Sequence, residues 1–102
     1  MWYISIFDAK ENTTRAQIRH EREEWIQKGK DRIFHQKCKT INRYEVLGSS
    51  PLKIFFVIET DDPTVLNLIS HHFGDAWDSV TYPIIQREIY EALGEDHTII
   101  GG

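Results

Sequence analysis

Only one cysteine, Cys38, occurs among the 102 residues, so no intrachain disulfide can form and nothing points to an oxidising compartment. A cytoplasmic location is the corresponding expectation. Prolines number only three and no low-complexity or repeated stretch is present, which argues against a linker-rich, disordered or solenoid chain. Long hydrophobic runs are missing as well. The opening Met1-Trp2-Tyr3-Ile4-Ser5-Ile6-Phe7 carries no basic leader and meets Asp8 too early for a signal h-region or a membrane span. Basic charge is also short: Lys and Arg total 12 against 16 Asp and Glu, a formal net charge of −4. Phosphate neutralisation is therefore not the main work of this surface, and neither nucleic acid nor membrane is an expected partner.

What is present is the composition of a packed protein, 40% hydrophobic and 12% aromatic. At this length one domain is expected over residues 1–102. Residues 2–8 predict a strand, with Trp2, Ile4 and Ile6 on one face and Tyr3, Ser5 and Phe7 on the other. Asn12, Thr13 and Thr14 are cap candidates for a first helix. Gln17 stands three residues beyond Thr14 as in a capping box, and Ile18, Trp25 and Ile26 recur at helical spacing up to Gly29. The alternating charges Arg19, Glu21, Arg22, Glu23 and Glu24 read as its solvated face. Residues 30–38 are open to two readings, an extra helical turn or a loop lying on the sheet. Strands follow over 40–47 and Lys53–Glu59, separated by the turn-forming Gly48-Ser49-Ser50-Pro51. The second of these is apolar without a break from Ile54 to Ile58, as a strand covered on both sides would be.

Asp62 and Pro63 then predict a helix start, Val65, Leu66, Leu68, Ile69 and Phe73 its apolar stripe, and Gly74 a left-handed stop. A fourth strand is expected over 79–85, with Pro83 indicating a sheet edge or a bulge. A short helix over 86–93 should stop at Gly94, leaving a loose tail or a short added strand over 95–102. Strand, helix, strand, strand, helix, strand is the ferredoxin-like order, a four-stranded antiparallel sheet with both helices on one face. The other face then needs a cover. Tyr3, Phe7, Phe55 and Val57 are the candidate interface with a second copy, opposed to Trp2, Ile4, Ile54, Phe56 and Ile58. Burying each is worth about 1.5–3 kcal/mol, enough in sum to offset association.

The segments Arg43-Tyr44-Glu45-Val46-Leu47-Gly48, Lys53 to Asp62 ending in Glu59-Thr60-Asp61-Asp62-Pro63, and Ala76-Trp77-Asp78 before Tyr82-Pro83-Ile84 together resemble small proteins of the dimeric α+β barrel superfamily. That superfamily includes antibiotic-biosynthesis-type monooxygenases, haem-degrading enzymes, muconolactone isomerases and stress-response domains. The resemblance implies a homodimer with a small organic ligand between sheet and helices. It also implies a cofactor-independent oxygenation or isomerisation with a histidine as base, and no cofactor is expected. Two other readings stay open: a non-catalytic interaction or regulatory module, and a haem-binding protein using His71 or His72 near Trp77. Ligand contacts are expected from His71, His72, Trp77, Tyr44, Arg43, Tyr82, His35 and Trp25. No metal site is expected, because His20-Glu21-Arg22-Glu23-Glu24 lacks the second histidine of a zincin helix. The ferredoxin-like order also serves RNA-recognition domains, but the glycines that let bases lie on the third strand are absent here.

Overall fold

Thr14 begins the helical layer in the way its position suggests: in a computed structural model of the chain its Oγ1 accepts the Gln17 amide at 3.1 Å, satisfying one of the free donors of the first turn. The structure describes residues 1–100. Its elements are β1 (Trp2–Ala9), α1 (Arg15–Gln27), α2 (Lys30–Lys37), β2 (Thr40–Glu45), β3 (Lys53–Glu59), α3 (Val65–His72), β4 (Trp77–Ile84) and α4 (Ile89–Ile100). The strands form one antiparallel sheet in the order β2-β3-β1-β4, so the fold is ferredoxin-like α+β, and Pro83 does sit on an edge strand.

The open segment after the first helix is helical. Gly29, at φ 72°, takes the left-handed conformation that turns the chain from α1 into α2, a geometry any side chain would strain. This lets Phe34 reach the core. At α3, Asp62 falls short of the cap position expected for it: regular helix starts at Val65 with Thr64 as its N-cap, and Asp62 Oδ1 accepts the Thr64 amide at 3.1 Å in the turn before it. Gly74 departs from expectation: its φ is not positive, and the helix ends at His72 without a left-handed glycine. The fourth strand begins two residues early, at Trp77, and the last helix starts later than expected and runs through Gly94 to Ile100. The expected tail is thus helical up to residue 100, and the remainder of 95–102 lies outside the described residues.

Register decides what each sheet face carries. Tyr3 pairs with Ile58, Ser5 with Phe56 and Phe7 with Ile54, so these six share the face under the helices. There Phe7, Ile54 and Ile58 join Ile18, Trp25, Phe34, Val65, Leu66, Ile69 and Trp77 in one core, with Tyr3 and Phe56 packed against it. Tyr3 and Phe7 therefore do not share a face with Phe55 and Val57, which corrects the grouping expected above. The uncovered face carries Trp2, Ile4 and Ile6 beside Phe55 and Val57, flanked by Val80 and Tyr82 from β4. Val80 and Tyr82 are 48% and 54% exposed. Buried Ser5 is accommodated by its hydroxyl lying 2.7 Å from that of Thr81. Buried Thr60 donates to the Lys37 carbonyl at 2.8 Å, tying the end of β3 to the end of α2. The described chain is elongated, 56 × 31 × 18 Å, because α4 stands off the body, with Tyr90 81% exposed.

Candidate functional site

A cleft of about 520 Å³ opens between the covered face of the sheet and the helices α1, α2 and α3. This size suits one small organic molecule. Its floor is Phe7, Ile41, Ile54 and Phe56 from the strands, and its apolar walls are Trp25, Phe34, Ile69, Phe73 and Trp77. The aromatic rings hold one another edge-on or tilted: Trp25 lies 5.8 Å from Phe34 and 5.4 Å from Phe73, and Phe7 lies 5.7 Å from Phe56. Polar groups gather at the side formed by α1, α2 and β2. Strand alternation places Ile41, Arg43 and Glu45 on the helix-facing side of β2, and Arg22, Asp31 and His35 come down from the helices.

These polar groups are ordered. The Trp25 indole donates to Asp31 Oδ1 at 2.9 Å, across the Gly29 turn. The Asp31 backbone carbonyl lies 2.8 Å from His35 Nδ1, and its carboxylate lies 3.5 Å from the same nitrogen. A carbonyl can only accept, so Nδ1 carries the proton and, in the neutral ring, the Nε2 lone pair is left for a ligand. Arg43 donates to Glu45 Oε1 at 2.8 Å. Burial, followed by the adjacent Arg43 guanidinium, pushes Arg22 below the usual arginine range, while Glu45 acts in the opposite sense. Arg22 also lines a second open depression of about 610 Å³, between α1 and the β2–β3 connection, with Arg15, Ile18, Arg19, Ser49, Ser50 and Leu52.

Of the residues expected to contact a ligand, the structure brings Trp25, His35, Arg43 and Trp77 to the cleft. Tyr44 and Tyr82 belong to the opposite face, Tyr44 stacked on Phe55 at 5.1 Å and Tyr82 paired with Ile4. His71 is exposed and outside the cleft. His72 is fully engaged: Lys30 Nζ lies 2.9 Å from Nδ1, and Nε2 lies 2.7 Å from the Glu21 carbonyl. An ammonium only donates and a carbonyl only accepts, so His72 is the Nε2–H tautomer with no nitrogen left over for haem iron as placed. Among the described residues no group of three His, Cys, Asp or Glu side chains could hold a metal ion. Sequence reasoning missed Arg22, Asp31 and Glu45. Glu45 was readable from the alternation that exposes Arg43, whereas Asp31 lies beyond a glycine turn that hides its pairing with Trp25.

No family model matches the chain, and no curated protein matches it. Solved structures do. The crystal structure of an antibiotic biosynthesis monooxygenase superposes with a TM-score of 0.52 at 12% identity, over 86% of this chain and 100% of that one. Rv0793 from Mycobacterium tuberculosis gives 0.46 at 11% identity, over 84% of this chain and 95% of its own. The first of these likenesses establishes the fold, and the resemblance to α+β barrel proteins read from the sequence holds at that level. Among the described residues no helix is long and apolar enough to cross a membrane.

Proposed function

We propose that this chain is a homodimeric α+β barrel protein that binds a small aromatic molecule in the cleft between sheet and helices, and that His35 is the base of a cofactor-independent reaction there. The observation that carries the reading is the cleft itself, aromatic on its walls and floor and polar along a single rim. His35 Nε2 takes a proton from an acidic carbon or hydroxyl of the ligand, and Arg43 steadies the oxyanion that results. Returning the proton to a different carbon gives an isomerisation, while molecular oxygen as second substrate would give an oxygenation. The fold shared with an antibiotic biosynthesis monooxygenase supports this class of chemistry.

Dimerisation is supported by the uncovered face, where Trp2, Ile4, Ile6, Phe55 and Val57 form an apolar surface across two neighbouring strands. A second copy laid on it sheet to sheet would close the barrel. Binding is tested by titrating the protein with 1-naphthol and following tryptophan emission, since Trp25 and Trp77 line the cleft. Saturable quenching together with a higher melting temperature is expected. Absence of both would remove the ligand-binding reading. His35→Gln should retain binding while abolishing any turnover, which separates its role as base from one in packing.

A further inference from the structure

Charge on the helical layer is unevenly used. Every lysine is engaged, by a carboxylate, a carbonyl or a histidine nitrogen. Arg15, Arg19 and Arg22, by contrast, make no hydrogen bond or ion pair among the described residues. Their spacing of four and three places them along one face of α1, and all three line the depression beside Ser49 and Ser50. Three unpaired guanidiniums in a row are unexpected in a chain whose net charge is −4. Acidic side chains are abundant, yet none of them takes these positions. The charged groups that act on Arg22 are Arg43 and Glu45, which are already joined to each other. Arg22 lines both cavities, so the aromatic cleft and the arginine row adjoin at that residue.

We infer that the ligand of this site is an amphipathic organic anion, whose ring system lies in the aromatic cleft and whose anionic oxygens lie on Arg15, Arg19 and Arg22 beside the Ser50 hydroxyl. This rests on the ligand-binding reading above and adds the substrate class to it. Guanidinium groups match the planar pair of oxygens of a carboxylate or phosphate, and the Ser50 hydroxyl donates to the same atoms, that of Ser49 being committed to the Pro51 carbonyl at 2.6 Å. An anion held there also relieves the mutual repulsion of Arg22 and Arg43. The apolar body supplies burial, and the row supplies orientation, turning the reactive end of the ring toward His35.

The test compares three probes with one ring system, 1-naphthol, 1-naphthoate and 1-naphthyl phosphate, each titrated into the full chain and into the Arg15→Gln/Arg19→Gln double variant. Neither side chain has a partner among the described residues, so the variant should keep the parent melting temperature, which is checked first. At least one anionic probe should bind about tenfold more tightly than 1-naphthol, and the double variant should erase that advantage while binding 1-naphthol unchanged. Preference for naphthoate identifies a carboxylate ligand and preference for the phosphate a phosphate ester. Equal affinity for all three, or an anion preference that survives in the double variant, overturns the inference and leaves the cleft as a neutral-ligand site. Failure of all three probes to bind overturns the ligand-binding reading itself.

Discussion

The two faces of this sheet differ far less in composition than in what covers them. Beneath the helices lie Tyr3, Ser5, Phe7, Ile54, Phe56 and Ile58; on the uncovered side lie Trp2, Ile4, Ile6, Phe55 and Val57. Ser5, one of the most deeply buried residues, is on the covered face, while Trp2 is on the other. Hydrophobicity alone therefore does not tell inside from outside in this sheet. What separates the faces is the helices, and helices land where their own stripes and the handedness of the crossovers send them.

The comparison breaks most sharply by truncation on the covered side. Ile58 is 0% exposed, and Ile58→Ala should cost about 2–5 kcal/mol, lowering the urea midpoint with an unchanged denaturant slope. The same experiment on Val57, next along the strand but on the other face, should cost under about 1 kcal/mol in the dissociated chain. A charge sharpens it further: for the proposed sheet-to-sheet dimer, Phe55→Asp should leave the monomer folded while raising the dissociation constant about a hundredfold, read by sedimentation over a concentration series. A Phe55→Asp variant as dimeric as the parent would show that this face is not the one a second copy covers.

The smallest effect concerns the cover itself. Glu21 on α1 holds a buried Oε2 with no hydrogen-bond partner, and burial, then the nearby Asp75 carboxylate, raises its pKa. A carboxyl raised in the folded chain favours folding only while protonated. That contribution is complete below the ordinary glutamate range and lost as pH climbs through the raised folded value, so at neutral pH the ionised group weighs against the fold. Glu21→Gln should accordingly melt roughly 2 °C higher than the parent at pH 7, with the gap closing toward pH 4. A gap that widened on acidification would contradict this sign.

Element order was legible because each boundary has local chemistry: Thr14 with Gln17, Gly29, Asp62 with Pro63, and the β-branched and aromatic strands between them. The helix over Lys30–Lys37 was not, since Ile33 and Phe34 are adjacent and give no helical period to count. Phase between strands was also beyond reach. Alternation shows which residues of one strand share a face, but where both faces are apolar it does not show which set of a neighbouring strand joins them, and so Tyr3 and Phe7 fall with Ile58 and Ile54. In the site, Trp25, His35, Arg43 and Trp77 were readable as aromatic and polar residues near element ends. Of the arginine row, Arg19 and Arg22 were visible as letters but read as part of a solvated face, because only tertiary structure shows that they lack partners and line one depression with Arg15.

One consequence remains in the helix Ile89–Ile100, which leans on little else in the described chain. Twelve residues are too few to hold a helix firmly in water without neighbours. Its amide hydrogens should trade with deuterated solvent through fraying of that segment alone, whereas those of β1, bonded to strands on both sides, wait for the whole sheet to open. The molecule thus keeps two clocks, and anything that clasps the terminal segment would slow the faster one without touching the other.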